Sequence, residues 1–443
     1  MVRNHGGIPQ PSHRLNEKVG VGGFSCHRAG VNKKQRKPTP TPSKYSVLRQ
    51  LCNLIPEHLV PKLARETKVD EKCRTFSAWS HVVALLFAQL THAVGLNDVC
   101  DALRLYLGPL AAVRGATPPS RNNLSHANKH RDASLAEKLF WGVLHHLKEL
   151  HPRFAGSKAG KRLMHRFNRT IHLVDSTTIQ LVASCMDWAK HRRRKAAAKC
   201  HLRLDLQSFL PRFAIIDTAK DHDNKRAQEV CAGVRPGEIV IFDKAYVWFT
   251  HLLQLTLRGV HWVTRAKDNM EYRVVQRRQY RRKGNILRDD LIELKTPASH
   301  KKYPQRLRRV LALVELDGRW QEMAFLTNNL EWSAQTIAAL YRCRWQIEVF
   351  FKQIKQTLQL ADFLGQSANA VKWQVWIALL TYVLLRFLAC LHHWEHSFTR
   401  LWTLLRAVLW RQLDVPALVD SCGTAQGSFR YLARPEQAYF ASF

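Results

Sequence analysis

Apolar residues change their rhythm along the chain. From Tyr45 to about Phe154 they recur every three or four positions, in SVLRQLCNLIPEHLVPKLARE, SAWSHVVALLFAQLTHAV, LNDVCDALRLYL and ASLAEKLFWGVLHHLKEL. That is the spacing of helices burying one face. Between the last two, PPSRNNLSHANKHRDAS gathers turn formers and basic residues and reads as a connection able to touch a phosphate backbone. Near Arg169 the pattern becomes β-like. RTIHLVDSTTIQL leads through Ile171, Leu173 and Val174 to Asp175, CHLRLDL alternates Leu202, Leu204 and Leu206 with polar residues, and RFAIIDTA follows. DHDNKRAQEVC reads as a short helix with Asp221 or Asp223 as its N-cap. GEIVIFDKAY is an apolar strand ending at Asp243, WFTHLLQLTLRG a helix closed by Gly259, and VHWVTR a fifth strand.

The order β-β-β-α-β-α-β, followed after an interruption by a long helix that Ser333 caps, predicts an α/β chain with a ribonuclease H-like core. In that fold the catalytic acids sit on the first strand, at the end of the fourth, and on a helix after the fifth. Asp175, Asp243 and Glu348 occupy those places. The interruption, 267–330, carries strand-like RVLALVELDG and WQEMAFLTN beside the basic clusters RRQYRRKG and HKKYPQRLRR. The expected organisation is a disordered basic tail (1–44) and an all-helical N-terminal DNA-binding domain (45–154). The first part of the core (155–266), the β-rich insertion between the fifth strand and the Glu helix (267–330), core helices carrying Glu348 (331–410) and a C-terminal segment (411–443) follow.

YRCRWQIEVFFKQIKQ, residues 341–356, reads as one helix. Its Tyr341, Arg344, Glu348 and Lys355 fall within an arc of about 60°, because spacings of 3, 4 and 7 return to one side. Ile347, Phe350, Phe351, Ile354 and Leu358 fill the neighbouring arc, so the polar stripe borders a core. On this helix alone, ordinary i,i+4 charge contacts remain the alternative.

Composition narrows the partners. Lys plus Arg number 69 against 34 Asp plus Glu, a formal net charge of +35 in 443 residues, and a polyanion is the natural partner of such an excess. Ten cysteines without a C-x-x-C pair read as reduced thiols of a cytosolic protein. MVRNHGGIPQ lacks the apolar stretch of a secretory signal. WQVWIALLTYVLL, from Trp373, contains Gln374 and stops at Arg386; it is short for a membrane span and predicts a buried helix.

Rival signals are weaker. His392, Glu395 and His396 match H-x-x-E-H of inverted zinc peptidases, but no third ligand is identifiable and the charge goes unexplained. GSKAGKR lacks the spacing of a phosphate loop. Asp221 and Asp223 read as turn and cap residues, while Asp205 and Asp217, on strands or their ends, remain outside candidates for metal ligation. The run Arg192, Arg193, Arg194 and Lys195, beside a candidate nuclease strand, is assigned to DNA contact over a merely solvated face.

Tyr341, Arg344, Glu348 and Lys355 complete a Y-x2-R-x3-E-x6-K pattern, and HLVDSTTI, VIFDKAYVWF and FLTNNLEWSAQTIAALYRCRWQIEVFFKQIKQTL stand in the same order as the three acidic regions of a known family. Over about residues 45–410 the chain resembles the DDE transposases of the IS4 group. The resemblance implies an insertion-sequence transposase that cuts and joins DNA ends with two Mg²⁺ (or Mn²⁺) ions. Asp175 would bridge both ions, and Asp243 and Glu348 would complete one each. It also implies DNA contacts from Tyr341, Arg344 and Lys355, and a base-stacking tryptophan in the insertion. Here Met323 takes that tryptophan's nearest place, which moves the role to Trp320 three residues earlier. Trp248 stands where relatives often carry an acid. The implied partners are double-stranded DNA, as terminal inverted repeats and target, and a second copy of the chain, with no membrane, in the bacterial cytoplasm at the nucleoid. A catalytically decayed DNA-binding descendant, or a related nuclease, is the alternative.

Overall fold

The computed structural model describes residues 41–422 apart from 72, 157–166, 168, 182–184, 186–189, 193–194, 219–222, 279–283, 317 and 358–363. Ten strands form one sheet: β1 (Ile171–Leu181), β2 (Lys190–Arg192), β3 (Lys195–Asp205), β4 (Pro211–Thr218), β5 (Ile239–Phe242), β6 (His261–Arg265), β7 (Tyr272–Arg277), β8 (Ile286–Leu294), β9 (Leu307–Leu316) and β10 (Arg319–Thr327).

β3 lies antiparallel between β1 and β4, with Asp175 opposite Leu202 and Ser176 opposite His201. β5 then joins β1 in parallel, Val174 beside Phe242, and β6 joins β5 in parallel. Helices Asp223–Val230 and Phe249–Leu257 lie on the connections that lead into those parallel strands. The order β4-β3-β1-β5-β6 is the ribonuclease H-like arrangement that the sequence predicts. All four residues of β5 are buried, as expected for a parallel strand covered on both faces. Alternation divides its neighbours: Leu173 and Ile241 join the core that holds Ile347 and Phe350, whereas Val174, Val240 and Phe242 join Val230, Leu252 and Leu255.

The insertion is not a separate body. β10 pairs antiparallel with β6, Phe325 opposite Arg265, and β9, β8 and β7 follow outward, so the four inserted strands extend the core sheet. β10 thereby covers backbone groups that β6 would otherwise present as an open edge.

The helical region likewise shares its core with the rest of the chain. Helix Ala368–Leu391 is long and apolar enough, by length and composition, to cross a membrane, yet from Ala370 to Ala389 every residue except Lys372 is buried inside the protein. It packs against helices Ala78–Thr91, Arg121–His130 and Ser134–Leu150. The buried helix expected around Trp373 is therefore present, and it serves as the axis of the N-terminal bundle. Asn369 Nδ2 donates to the carbonyls of Asn128 (2.9 Å) and Arg131 (2.6 Å), and Trp373 Nε1 donates to Arg131 O (2.8 Å). At its other end, Tyr382 and the buried Arg386 donate to the Phe209 and Ser208 carbonyls that follow β3.

PPSRNNLSHANKHRDAS contains a helix, Arg121–His130, where the sequence reads as a connection. Ser120 caps it by accepting from Asn123 N, and Leu124, Ala127 and Asn128 form its buried face. With only two apolar residues the 3–4 spacing is hidden by polar composition, and Asn128 turns inward, its Oδ1 accepting from His81 Nε2 at 2.8 Å.

Candidate active site

Two parallel strands and one broken helix build the site. The register that sets Val174 beside Phe242 leaves Asp175 and Asp243 as neighbours at the next position, Asp243 leaving β5 for the 3₁₀ turn Lys244–Tyr246. The third acid arrives on a helix that is not continuous. Ser333 caps helix Ala334–Arg342 as expected, its Oγ accepting from Thr336 N. A joint at Cys343–Arg344 follows, where Cys343, Arg344, Gln346 and Ile347 each donate to the carbonyl three residues back. Glu348 sits on the next helix, Trp345–Lys352, and Lys355 in a π-helical turn, Gln353–Thr357. A tightened joint and a widened turn thus replace the single helix that the stripe presupposed.

Three of the four signature residues nevertheless reach β1 or the end of β5, and Glu348 joins them through Arg344. Arg344 Nη1 donates to Asp175 Oδ2 at 3.0 Å, and Nη2 donates to Glu348 Oε1 at 2.7 Å. Tyr341 OH donates to Asp243 Oδ1 at 3.3 Å. Lys355 Nζ donates to the carbonyl of Thr178, on β1, at 2.6 Å. Tyr341 is only 2% exposed and Arg344 9%, so in this state both face the acids rather than solvent. Glu348, with about half its side chain exposed, forms the open side of the site.

Burial shapes the charges. Desolvation pushes the Asp175 carboxyl up to about 7, against the lowering effect of Arg344 and of the Ser176 N–H, with Asp243 and Glu348 adding repulsion. Burial alone would lower Arg344; Tyr341, Asp175, Glu348 and Asp243 together hold it above its ordinary value. Burial also raises the Tyr341 phenol and lowers Lys355. The cluster is therefore a low-dielectric acidic site whose balance depends on an internal guanidinium. Among the described residues no three acidic, histidine or cysteine side chains converge closely enough to hold one ion as they stand, and Arg344 lies between Asp175 and Glu348. A cation thus already occupies the space between hard carboxylate oxygens. Carboxylate oxygens are the hard donors that Mg²⁺ and Mn²⁺ prefer.

The remaining expected residues lie elsewhere. Trp320, on β10, is 53% exposed, whereas Met323 is buried. Arg192 ends β2, while Arg193 and Arg194 lie outside the described residues. Asp205 is buried at the end of β3, accepting from Gln207 N, Ser208 N and Arg212, and Asp217 pairs with Arg226, so both have structural partners. His392 is the C-cap of the long helix and Glu395 lies beyond it, after the buried Trp394, so they do not share a helical face. Asp221 and most of GSKAGKR lie outside the described residues. Asp223, expected as a helix cap, instead accepts from Ser176 Oγ and Lys199 Nζ. The strand partners around it were invisible in sequence, because Ser176 and His201 become neighbours only through the β1–β3 register.

Comparison with known proteins covers the same stretch of chain. A family model described as a transposase DDE domain matches residues 166–384, and a domain of unknown function matches 43–111. A putative transposase of Sinorhizobium fredii is 32% identical over 274 residues, covering 61% of this chain and 75% of that protein. A probable transposase for insertion sequence element IS5377 of Geobacillus stearothermophilus is 28% identical, covering 50% and 58% respectively. The transposase for insertion sequence element IS4 of Escherichia coli is 26% identical over 42% of each chain. The piggyBac transposase in its synaptic complex with hairpin DNA aligns over 84% of this chain and 82% of its own, at 9% identity and a TM-score of 0.43.

Proposed function

Because the chain belongs to the IS4 family of DDE transposases and is an insertion-sequence transposase, we propose that Asp175, Asp243 and Glu348 are its catalytic acids and hold two Mg²⁺ (or Mn²⁺) ions. The observation that carries this is that Arg344 and Lys355 bond to β1 and Tyr341 to Asp243 at the end of β5, with Arg344 held between Asp175 and Glu348. When bound, the ions would supply nucleophile activation and charge neutralisation for phosphodiester hydrolysis and the transesterification that joins the freed 3′-hydroxyl to target DNA.

The chain's own residues prepare the site. β1 and β5 fix two carboxylates on rigid supports, and Tyr341 orients Asp243 by its hydrogen bond. Arg344 balances the acids in the DNA-free protein; on substrate binding its planar fork would pair with a phosphate of the DNA end, and Asp175, Asp243 and Glu348 would be the residues to hold the ions. Lys355 anchors the turn behind Glu348 to β1 and adds positive charge there. Trp320, exposed on β10, offers its ring to an unstacked base, and Arg192 to Arg194 contribute to backbone contact. Helix Arg121–His130 presents Arg121, Asn122, Asn123, His126, Lys129 and His130 outward and is the element of the helical region assigned to the terminal inverted repeat. Joining two ends calls for a homodimer on DNA, acting in the bacterial cytoplasm at the nucleoid.

Incubation of the full chain with end DNA and Mg²⁺, resolved on a denaturing gel and paired with crosslinking, tests this. Expected are nicked and joined products from complexes containing two protein copies. End binding without cleavage in Mg²⁺ or Mn²⁺ would mark a decayed descendant, cleavage without joining a nuclease, and one copy per active complex would remove the dimer.

A further inference from the structure

On the opposite face of β1 from Asp175 lies a second polar cluster that the chemistry above does not use. Side chains alternate along a strand, so Ser176 and Thr178 face away from Asp175, and the β1–β3 register sets them opposite His201 and Lys199. Asp223, the first residue of helix Asp223–Val230, reaches this face. Its Oδ1 accepts from Ser176 Oγ at 2.8 Å and from Lys199 Nζ at 3.0 Å, and lies 3.6 Å from His201 Nδ1. His201 Nδ1 in turn shares a 2.9 Å hydrogen bond with the hydroxyl of Tyr246. His201 and Tyr246 are each 1% exposed, so a break in these contacts would leave buried polar groups without partners.

The cluster touches both acid-bearing supports from behind. Ser176 follows Asp175 directly, and its N–H donates to Asp175 Oδ1 at 2.8 Å. Tyr246 closes the turn that begins at Asp243, its N–H donating to Asp243 O at 3.0 Å. One chain of contacts, Ser176–Asp223–His201–Tyr246, therefore bridges the middle of β1 and the turn that follows β5. We propose that Asp223, with Lys199, His201 and Tyr246, is a positioning network that sets the spacing and orientation of Asp175 and Asp243 for divalent ions. The network rests on the metal-site reading above and adds to it residues that touch neither ion nor DNA.

Thermal unfolding of the full chain in increasing Mn²⁺, without DNA, reads ion binding separately from activity. Asp223→Asn should raise the Mn²⁺ concentration for half-maximal stabilisation by about 10-fold or more, the cost typical of removing an outer partner of a metal ligand. Tyr246→Phe, which keeps the ring and removes one hydroxyl, should shift it in the same direction and covers the case in which Asp223→Asn leaves Lys199 uncompensated and fails to fold. A merely structural role would lower the metal-free midpoint and leave the Mn²⁺ dependence alone; that result, in whichever of the two variants folds, overturns the proposal. Asp175→Asn is the control. If it abolishes Mn²⁺ stabilisation while the network variants bind as wild type, only the network fails; if it leaves Mn²⁺ stabilisation intact, the metal-site reading fails and takes the network with it.

Discussion

Glu348→Gln separates a metal ligand from a surface charge more cleanly than any other change to this site. Gln keeps the volume, the helix and an oxygen able to accept from Arg344, and removes only the negative charge. As an i,i+4 pair with the carboxylate side half exposed, Arg344–Glu348 contributes about 0.3–0.5 kcal/mol to stability. The thermal midpoint should therefore move by about 1 °C, and end binding should stay near wild type. Catalysis sets a different scale. Charge stabilisation by a bound ion is worth several kcal/mol of the barrier, and at about 1.4 kcal/mol per tenfold its loss slows cleavage by on the order of 10³ or more. The assay is single-turnover cleavage of labelled end DNA in Mg²⁺, with a gel shift and a melt on the same preparation. Cleavage within a few-fold of wild type would refute the metal-ligand role and reduce Glu348 to a helix-surface charge.

Arg344→Ala leaves Asp175 and Glu348 without their shared counter-cation, so the metal-free protein should lose about 3 kcal/mol in denaturant unfolding, the cost of breaking a buried pair. Added Mn²⁺ should stabilise this variant more than wild type, and equal gains would argue against competition between guanidinium and ion. A fragment of residues 45–154 should lack cooperative unfolding by circular dichroism, because helix Ala368–Leu391 supplies the centre of its core; a sharp melt would contradict the shared core. On acidification, His81, His201 and His251 should destabilise the fold. Burial lowers them to about 3, 4 and 4, so below about pH 6.5 the unfolded chain binds protons that the folded chain cannot. Asp175, pushed up to about 7, acts with the opposite sign, since its folded carboxyl holds a proton that the unfolded one has released. The three histidines outweigh the one carboxyl, so stability should fall as pH drops from about 6.5 towards 4. Melting midpoints at pH 7.5 and 5 check it, and a flat profile would contradict the neutral buried histidines.

Local periodicity was enough to order the strands of the core, to place Asp175 on β1 and Asp243 at the end of β5, and to start a helix at Ser333. Those features depend on residues a few positions apart, and the alternation of Leu173, Val174 and Asp175 or the cap at Ser333 is visible in any short window. Fixed spacing also marked Tyr341, Arg344, Glu348 and Lys355 as a set. It did not foresee the joint at Cys343–Arg344 or the π turn around Lys355, because these depend on how the helix docks against β1 and β5. Nor did it foresee that Arg344 and Tyr341 are buried against the acids. The burial of helix Arg121–His130 on Ala368–Leu391, the pairing of β10 with β6, and the meeting of Ser176 with His201 each join residues far apart in the chain. Strand register and helix packing are set by which distant surfaces cover one another, so the tertiary structure decided them, and with them the surroundings of Asp175, Asp243 and Glu348.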